Sequence, residues 1–537
     1  MQCYSNNTNP WGVLVVEKVK TGWMALFVIS LSLFIIGLDS TFMNVAMMYL
    51  VKDLNTTLGN VQSIIAVYTL VMGCFVLFGA KLQDVIGRKR TFLTGAIIYG
   101  VGTIIAATSM NSGMLLLGWS VIEGFGAALM LPATSAIVTS TYSGTKRTFA
   151  LGFTATIFTV SVAIGPLLGG FLTTFYSWRW GFGLEAIIVL LILLLSKSLV
   201  ESEHPLKFSD INLKGAILSA AGILIIIIGV LQLNTPSSWL NYSGTIINPA
   251  GFAVAMGMIL IGIILLVIFY FYQRRLIRQD KKPFMNINIL KTRPFTLGII
   301  SVAIMSLIMA GVFYIVPLYV QTRWATTALM TGVILLAAPL GSLIFSLSAN
   351  KLTGYLKHNH LVSVGFVVSM VAVLMLYLSF LNYVNLTMYD LIPGLFILGA
   401  GLGLALPNLN NIVLSSLKET QYADGSGILS TFNNVGSSVG TVVIGLIFFI
   451  AVYFSVASSL PVEYPQYQNQ QALNHDIYSW IDQVIHPNMA KMENDSNLLT
   501  LTLKSSAQGM QLAFLSSAIL LLVGFLLSLF IKPPPME

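Results

Sequence analysis

Asp39, Glu123 and Glu185 are acidic side chains set well inside long apolar stretches of this 537-residue chain. Asp39 lies in FIIGLDSTFMNVAMM, with Asn44 five residues on. A charge at the centre of a bilayer costs roughly 2.5–3.5 kcal/mol on insertion scales, so an acid there marks a pathway or a relay by default. Apolar surroundings favour the neutral form of a carboxyl, so such a group can gain and lose a proton near neutral pH. That is the equipment for coupling cation export to proton entry. The plainer alternative is neutralisation by structural hydrogen bonds. For Glu185 it is pairing with the nearby Arg179.

The chain that must position these acids is 56% hydrophobic and 9% charged, with a mean hydropathy of +0.85. A soluble chain would be about 25% charged. Apolar runs of roughly 20 residues, the length that crosses a bilayer, recur to give fourteen predicted spans. The first is Met24–Leu50, the fourth Met114–Ser140, the sixth Trp180–Leu199 and the last Ala507–Ile531. These runs predict an all-α polytopic membrane protein and exclude a barrel, whose strands would be about 10 alternating residues. Met1–Lys20 lacks a compact apolar core followed by small residues, so the first span is expected to be its own insertion signal. An even span count puts both termini on one face. Of the 27 Lys and Arg, about 22 fall on that face, which predicts cytoplasmic termini in a cell membrane. The net charge of +8 is therefore read as topology, not as nucleic-acid binding. Cys3 and Cys74 are too few for a disulfide framework or a metal site. No GxxxxGK[ST] or HExxH sequence suggests an enzyme.

Asp39 stands about 15 residues, roughly 22 Å, into its span, and Glu123 roughly 14 Å from the opposite end of its own. The two are expected at similar depth, with Glu185 nearer the outer surface. The loop GAKLQDVIGRKR carries Gly79, Asp84, Gly87 and Arg88, a turn and a charged clasp that can lock one conformation. SVAIGPLLGG carries Gly165, Pro166, Gly169 and Gly170, where small residues let helices touch and proline loosens one. Polar amides Asn408 and Asn411 in LGLALPNLNNIV, and Asn433 in STFNNVGSSVG, suit a cavity wall or interhelical hydrogen bonds. Phe313 suits an adaptable apolar wall.

In fixed order with SWRWGF at Ser177–Phe182 and DGSGILSTFNNVGSSVG at Asp424–Gly440, these motifs resemble the major facilitator superfamily over almost the whole chain. Within it they are similar to the fourteen-span drug:proton antiporters, which include quaternary-ammonium exporters. GAKLQDVIGRKR resembles the superfamily's loop signature and SVAIGPLLGG the antiporter signature, with Ser161 in place of its leading Gly. Other positions depart from the pattern. Ser120 replaces the usual Arg of the fourth span, which is implicated in proton handling. Glu123 stands where Gln is common, Glu185 where Asn is expected, Met48 for a Pro and Gly354 for an Asp.

The resemblance implies two six-helix bundles, 1–200 and 295–537; the charge bias puts the polar stretch 457–505 of the second outside, as a small lid or an ordinary surface loop. Two extra helices and a basic connector lie between the bundles in 201–294. It implies a central cavity lined by spans one, four, nine and twelve, with Asp39, Glu123 and Asn408 or Asn411 beside it. The function implied is proton-coupled multidrug efflux of amphipathic, cationic compounds by alternating access. No cofactor is expected beyond the proton gradient, and no partner beyond substrate, protons and lipid; a monomer is expected. Export of a lipid or native metabolite by the same fold is the alternative. In either case Asp39 is expected to open onto a wet chamber where protons and cargo compete for it.

Overall fold

The computed structural model describes residues 23–201, 212–233, 249–279, 281, 283–352, 356–418, 421–463 and 496–531. The described residues form helices and connecting turns, with no strand among them. Among the described residues, fourteen helices are long and apolar enough to cross a membrane. They are α1 Met24–Asp53, α2 Leu58–Ile86, α3 Arg88–Ala107 and α4 Ser112–Thr141. Next come α5 Thr145–Phe175, α6 Arg179–Leu195, α7 Leu213–Leu233 and α8 Pro249–Arg278. The chain continues through α9 Arg293–Trp324, α10 Ala328–Ala349, α11 His358–Ser379 and α12 Leu391–Ser415. It ends in α13 Tyr422–Glu463 and α14 Ser496–Leu529. The last helix begins before its predicted start at Ala507, because the polar stretch SNLLTLTLKSS continues the helix beyond the apolar run. Most of the predicted lid at 457–505 lies outside the described residues, as do both chain ends.

Helix ends follow local chemistry. Thr57 accepts from the Asn60 amide to start α2, and Thr327 from Met330 to start α10. Gly87 ends α2 at φ +101°, a conformation that L side chains rarely adopt, so the chain reverses directly into α3.

Among the early helices, α1 packs on α5, and α3 on α4 and α6. Among the late ones, α9 packs on α13, and α12 against both α10 and α11. Helices α7 and α8 pack chiefly on each other. Among the described residues, hydrogen bonds join early helices to late ones at three junctions. The Gln62 amide of α2 donates to Thr441 O of α13 (2.7 Å), and Ser438 of α13 donates to Ala66 O (2.8 Å). Thr174 of α5 accepts from the Leu329 amide of α10 (3.0 Å). Gln321 of α9 donates to Val45 O of α1 (2.8 Å).

The SVAIGPLLGG glycines serve two different neighbours. A Cβ on Gly165 would lie 2.9 Å from Leu38 O, and one on Gly169 2.8 Å from Phe42 O, so both admit the α1 backbone. Gly170 faces the other way, where a Cβ would lie 2.7 Å from Leu329 Cα of α10. Pro166 places its carbonyl against Gly332 of the same helix.

Candidate functional site: a buried three-acid cluster

The route from sequence to site runs through the packing of α3 on α4. Gly102 allows Glu123 N to come within 2.5 Å of where its Cβ would stand, and Gly118 allows Ala106 N within 2.8 Å. Gly126 does the same for Tyr99 N at 2.5 Å. At this contact α4 is π-helical over Leu116–Glu123. Such widened turns gather at functional sites because they re-aim the side chains they carry. Here the segment carries Trp119, Ser120 and Glu123.

Asp39 from α1, Glu123 from α4 and Glu185 from α6 each place a carboxylate oxygen within 4.8 Å of the others. Their side chains are buried, Asp39 at 1% exposure and the two glutamates at 0%. Trp119 Nε1 donates to Asp39 Oδ2 (2.8 Å) and the Tyr99 hydroxyl to Glu185 Oε2 (3.2 Å). The remaining oxygens, Asp39 Oδ1, Glu185 Oε1 and both of Glu123, have no hydrogen-bond partner. Tyr68 of α2, fully buried and stacked on Trp119 with ring centroids 5.3 Å apart, turns its hydroxyl toward Asp39. Phe182 closes the same shell, edge-on to Trp119 at 6.0 Å and to Phe42 at 6.1 Å.

Among the described residues, no Lys, Arg or His lies within ion-pair distance of the three acids. Ser120 is buried and donates to Ile64 O of α2 (2.7 Å), so this position supplies helix packing and no cation. Two unit charges 4.8 Å apart repel by about 3.5 kcal/mol at an effective dielectric of about 20. Each ion also lacks its hydration shell. Three ionised carboxylates are not compatible with this packing. The arrangement can hold protons and pass them between neighbouring carboxyl groups.

The structure differs from several expectations. Asp39 does not open onto a chamber here. It is sealed by Trp119 and the helices around it, because the indole that satisfies one carboxylate oxygen also covers it. Glu185 does not pair with Arg179. That guanidinium bonds Asp53 Oδ2 (3.2 Å) and Ser109 O (2.8 Å) and lies over Trp178, fastening the ends of α1, α3 and α6 together.

Asn408 and Asn411 lie away from the acids, on His358 at the start of α11. Asn408 Oδ1 is 2.6 Å from His358 Nδ1, and Asn411 Nδ2 is 3.1 Å from Nε2. Asn433 accepts from Ser306 of α9 (2.7 Å), Phe313 packs in the apolar core, and Asn44 is buried on α1. Of these five residues of the expected cavity wall, none hydrogen-bonds to the three acids.

The stretch expected as a loop is helical on both sides of Gly87: Gly79 and Asp84 lie in α2 and Arg88 opens α3, and Gly79 lets α4 approach, with Leu129 Cα 3.1 Å from where its Cβ would stand. Arg88 donates to Ala136 O (3.1 Å), and Asp84 lies in the field of Lys81 and Arg88. Among the described residues, the ion pair that joins early and late helices is Lys81 with Asp424 of α13, and Asp424 also accepts from the Asn286 amide (3.2 Å). Sequence reasoning missed Lys81, Tyr68, Tyr99 and Trp119. A readable signal existed for Trp119, one helical turn before Glu123, and for Tyr99, between Gly95 and Gly102.

The family model of the Major Facilitator Superfamily matches residues 29–441. The chain belongs to the Major Facilitator Superfamily. As a superfamily member it is a multi-pass membrane transporter and not an enzyme. It is similar to the multidrug efflux pump LfrA of Mycolicibacterium smegmatis, at 25% identity over 79% of this chain and 81% of that one. The puromycin resistance protein pur8 of Streptomyces alboniger is 23% identical over 79% and 81%. Among solved structures, an auto-inhibited peptide transporter of the POT family superposes with a TM-score of 0.62 at 15% identity, covering 95% of this chain and 98% of that one. That likeness concerns the superfamily fold alone.

Proposed function

We propose that this transporter exports amphipathic, cationic compounds in exchange for protons. One observation carries the reading: three acids from α1, α4 and α6 share one buried site with no fixed cation beside them. A site of this kind is stable while protonated and unstable while fully ionised. Its protonation state is therefore tied to whether the surrounding helices are closed or parted. Efflux pumps and resistance proteins among the relatives support the export direction and the drug-like class of cargo.

Alternating access moves the early helices against the late ones across the junctions of α2 with α13, α5 with α10 and α1 with α9. The cytoplasmic face is the one on which the Lys and Arg of the connecting loops gather. Parting the helices exposes the acids to water, where they release protons. Their negative charge then favours entry of a cation from the cytoplasm. Proton uptake on the outer side neutralises the acids and releases the cargo.

The test is ethidium transport by the purified protein in proteoliposomes with an imposed pH gradient. Flux is expected to follow the gradient in the wild type and to vanish in Asp39→Asn while that variant still folds. Normal ethidium flux in Asp39→Asn would refute the assignment.

A further inference from the structure

We infer that the Asp39–Glu123–Glu185 cluster binds at least two exchangeable protons, so that export of a monovalent cation carries net positive charge inward. The inference rests on the antiport reading above and adds the number of coupling ions. Three carboxylate oxygens lie within 4.8 Å of one another, and all three side chains are buried. The groups facing them from the packed helices are Tyr68 of α2, Tyr99 of α3 and Trp119 of α4. Each of these is neutral. A second observation points to an ion rather than to mere packing. The Tyr68 hydroxyl, buried at 1% exposure, is unpartnered and faces Asp39.

Donors for an ionised form reach two of the three acids: Trp119 on Asp39, which the Tyr68 hydroxyl also faces, and Tyr99 on Glu185. Glu123 receives none. In the closed cluster one carboxylate can remain ionised on such donors; a second would face both its neighbour's charge and an unpaired desolvation cost. The closed cluster therefore holds two or three protons. Opened to water at neutral pH, three ordinary carboxyls hold none. The cycle moves the difference, two or more protons, against one cargo cation. The balance is one positive charge out and at least two in.

The experiment measures protons and ethidium together, with a pH dye inside proteoliposomes of the full chain and protein-free vesicles as control. Two or more protons are expected per ethidium. With no pH gradient, a valinomycin-imposed potassium diffusion potential is expected to drive ethidium transport. Glu123→Gln, and independently Glu185→Gln, are expected to lower the ratio by about one and to weaken the voltage response. A ratio of one in the wild type, with transport driven by pH but indifferent to voltage, overturns the inference and leaves proton antiport standing. Absence of ethidium flux under either gradient overturns the antiport reading itself. Flux that follows a sodium or calcium gradient at constant pH and voltage also overturns the inference, because a metal ion would then occupy the cluster.

Discussion

Trp119 Nε1 donates a 2.8 Å hydrogen bond to Asp39 Oδ2 across the α1–α4 contact. The same indole stacks on Tyr68 and meets the edge of Phe182. One side chain thus satisfies one oxygen of the acid and seals it from water. Trp119→Phe should keep most of the stack and lose the donor. A hydrogen bond to a charged acceptor is worth about 1.5–3 kcal/mol. Ethidium efflux under a limiting pH gradient should fall roughly tenfold or more, and the thermal midpoint should fall as well, because the buried carboxylate oxygen loses its donor. Unchanged efflux would show that the indole is only a packing group.

The two directions of the α5 glycines predict two different failures. Gly165→Val pushes into Leu38 O and the Thr41 side chain within the early helices. It should destabilise the protein by about 1–3 kcal/mol through overpacking, seen as a lower thermal midpoint in detergent. Gly170→Val meets Ala328 and Leu329 of α10, at a junction that alternating access must open and close. It should spare the midpoint more than Gly165→Val does and reduce flux more strongly. The same loss of stability in both variants would contradict this division.

Lys81 and Asp424 form the ion pair between α2 and α13, with side chains 22% and 17% exposed. Its coupling energy should be on the order of 1 kcal/mol, between exposed and buried pairs. Asp424→Asn should alter the balance of closed and open forms, read by cysteine-labelling rates near the junction. The exchanged pair Lys81→Asp with Asp424→Lys should recover part of the wild-type labelling pattern. A double-mutant cycle with no interaction energy would remove the pair from the switch.

His358 bridges Asn408 and Asn411 at the start of α11. His358→Ala leaves Oδ1 of the 3%-exposed Asn408 without its partner, while Nδ2 still donates to Leu404 O, a loss of about 1–3 kcal/mol. Thermal stability should drop while the ratio of protons to ethidium stays at its wild-type value. A changed ratio would bring these amides back into coupling.

Much of the architecture was legible in the chain because bilayer thickness imposes a length on every apolar run. Fourteen spans and their approximate ends follow from that constraint, and the superfamily motifs were legible by their resemblance to known members. Single acids in apolar surroundings were also legible, since their cost makes each one conspicuous. Their meeting was not. Asp39, Glu123 and Glu185 are far apart in sequence, and only the helix packing allowed by Gly102, Gly118 and Gly126, with the π-helical turn at Leu116–Glu123, brings them together.

Tertiary structure also decided the fate of the asparagines. An amide in an apolar helix fits a cavity wall and a helix–helix bond equally well, and its neighbours choose between them; His358 and Ser306 made that choice here. The same holds for Arg179, whose sequence neighbour Glu185 points to Tyr99 while its charge goes to Asp53. Sequence determines which groups must be satisfied inside a membrane, because desolvation acts on every residue wherever it packs. Which partner satisfies each one depends on distances of a few ångströms between helices remote in the chain, and folding alone sets those.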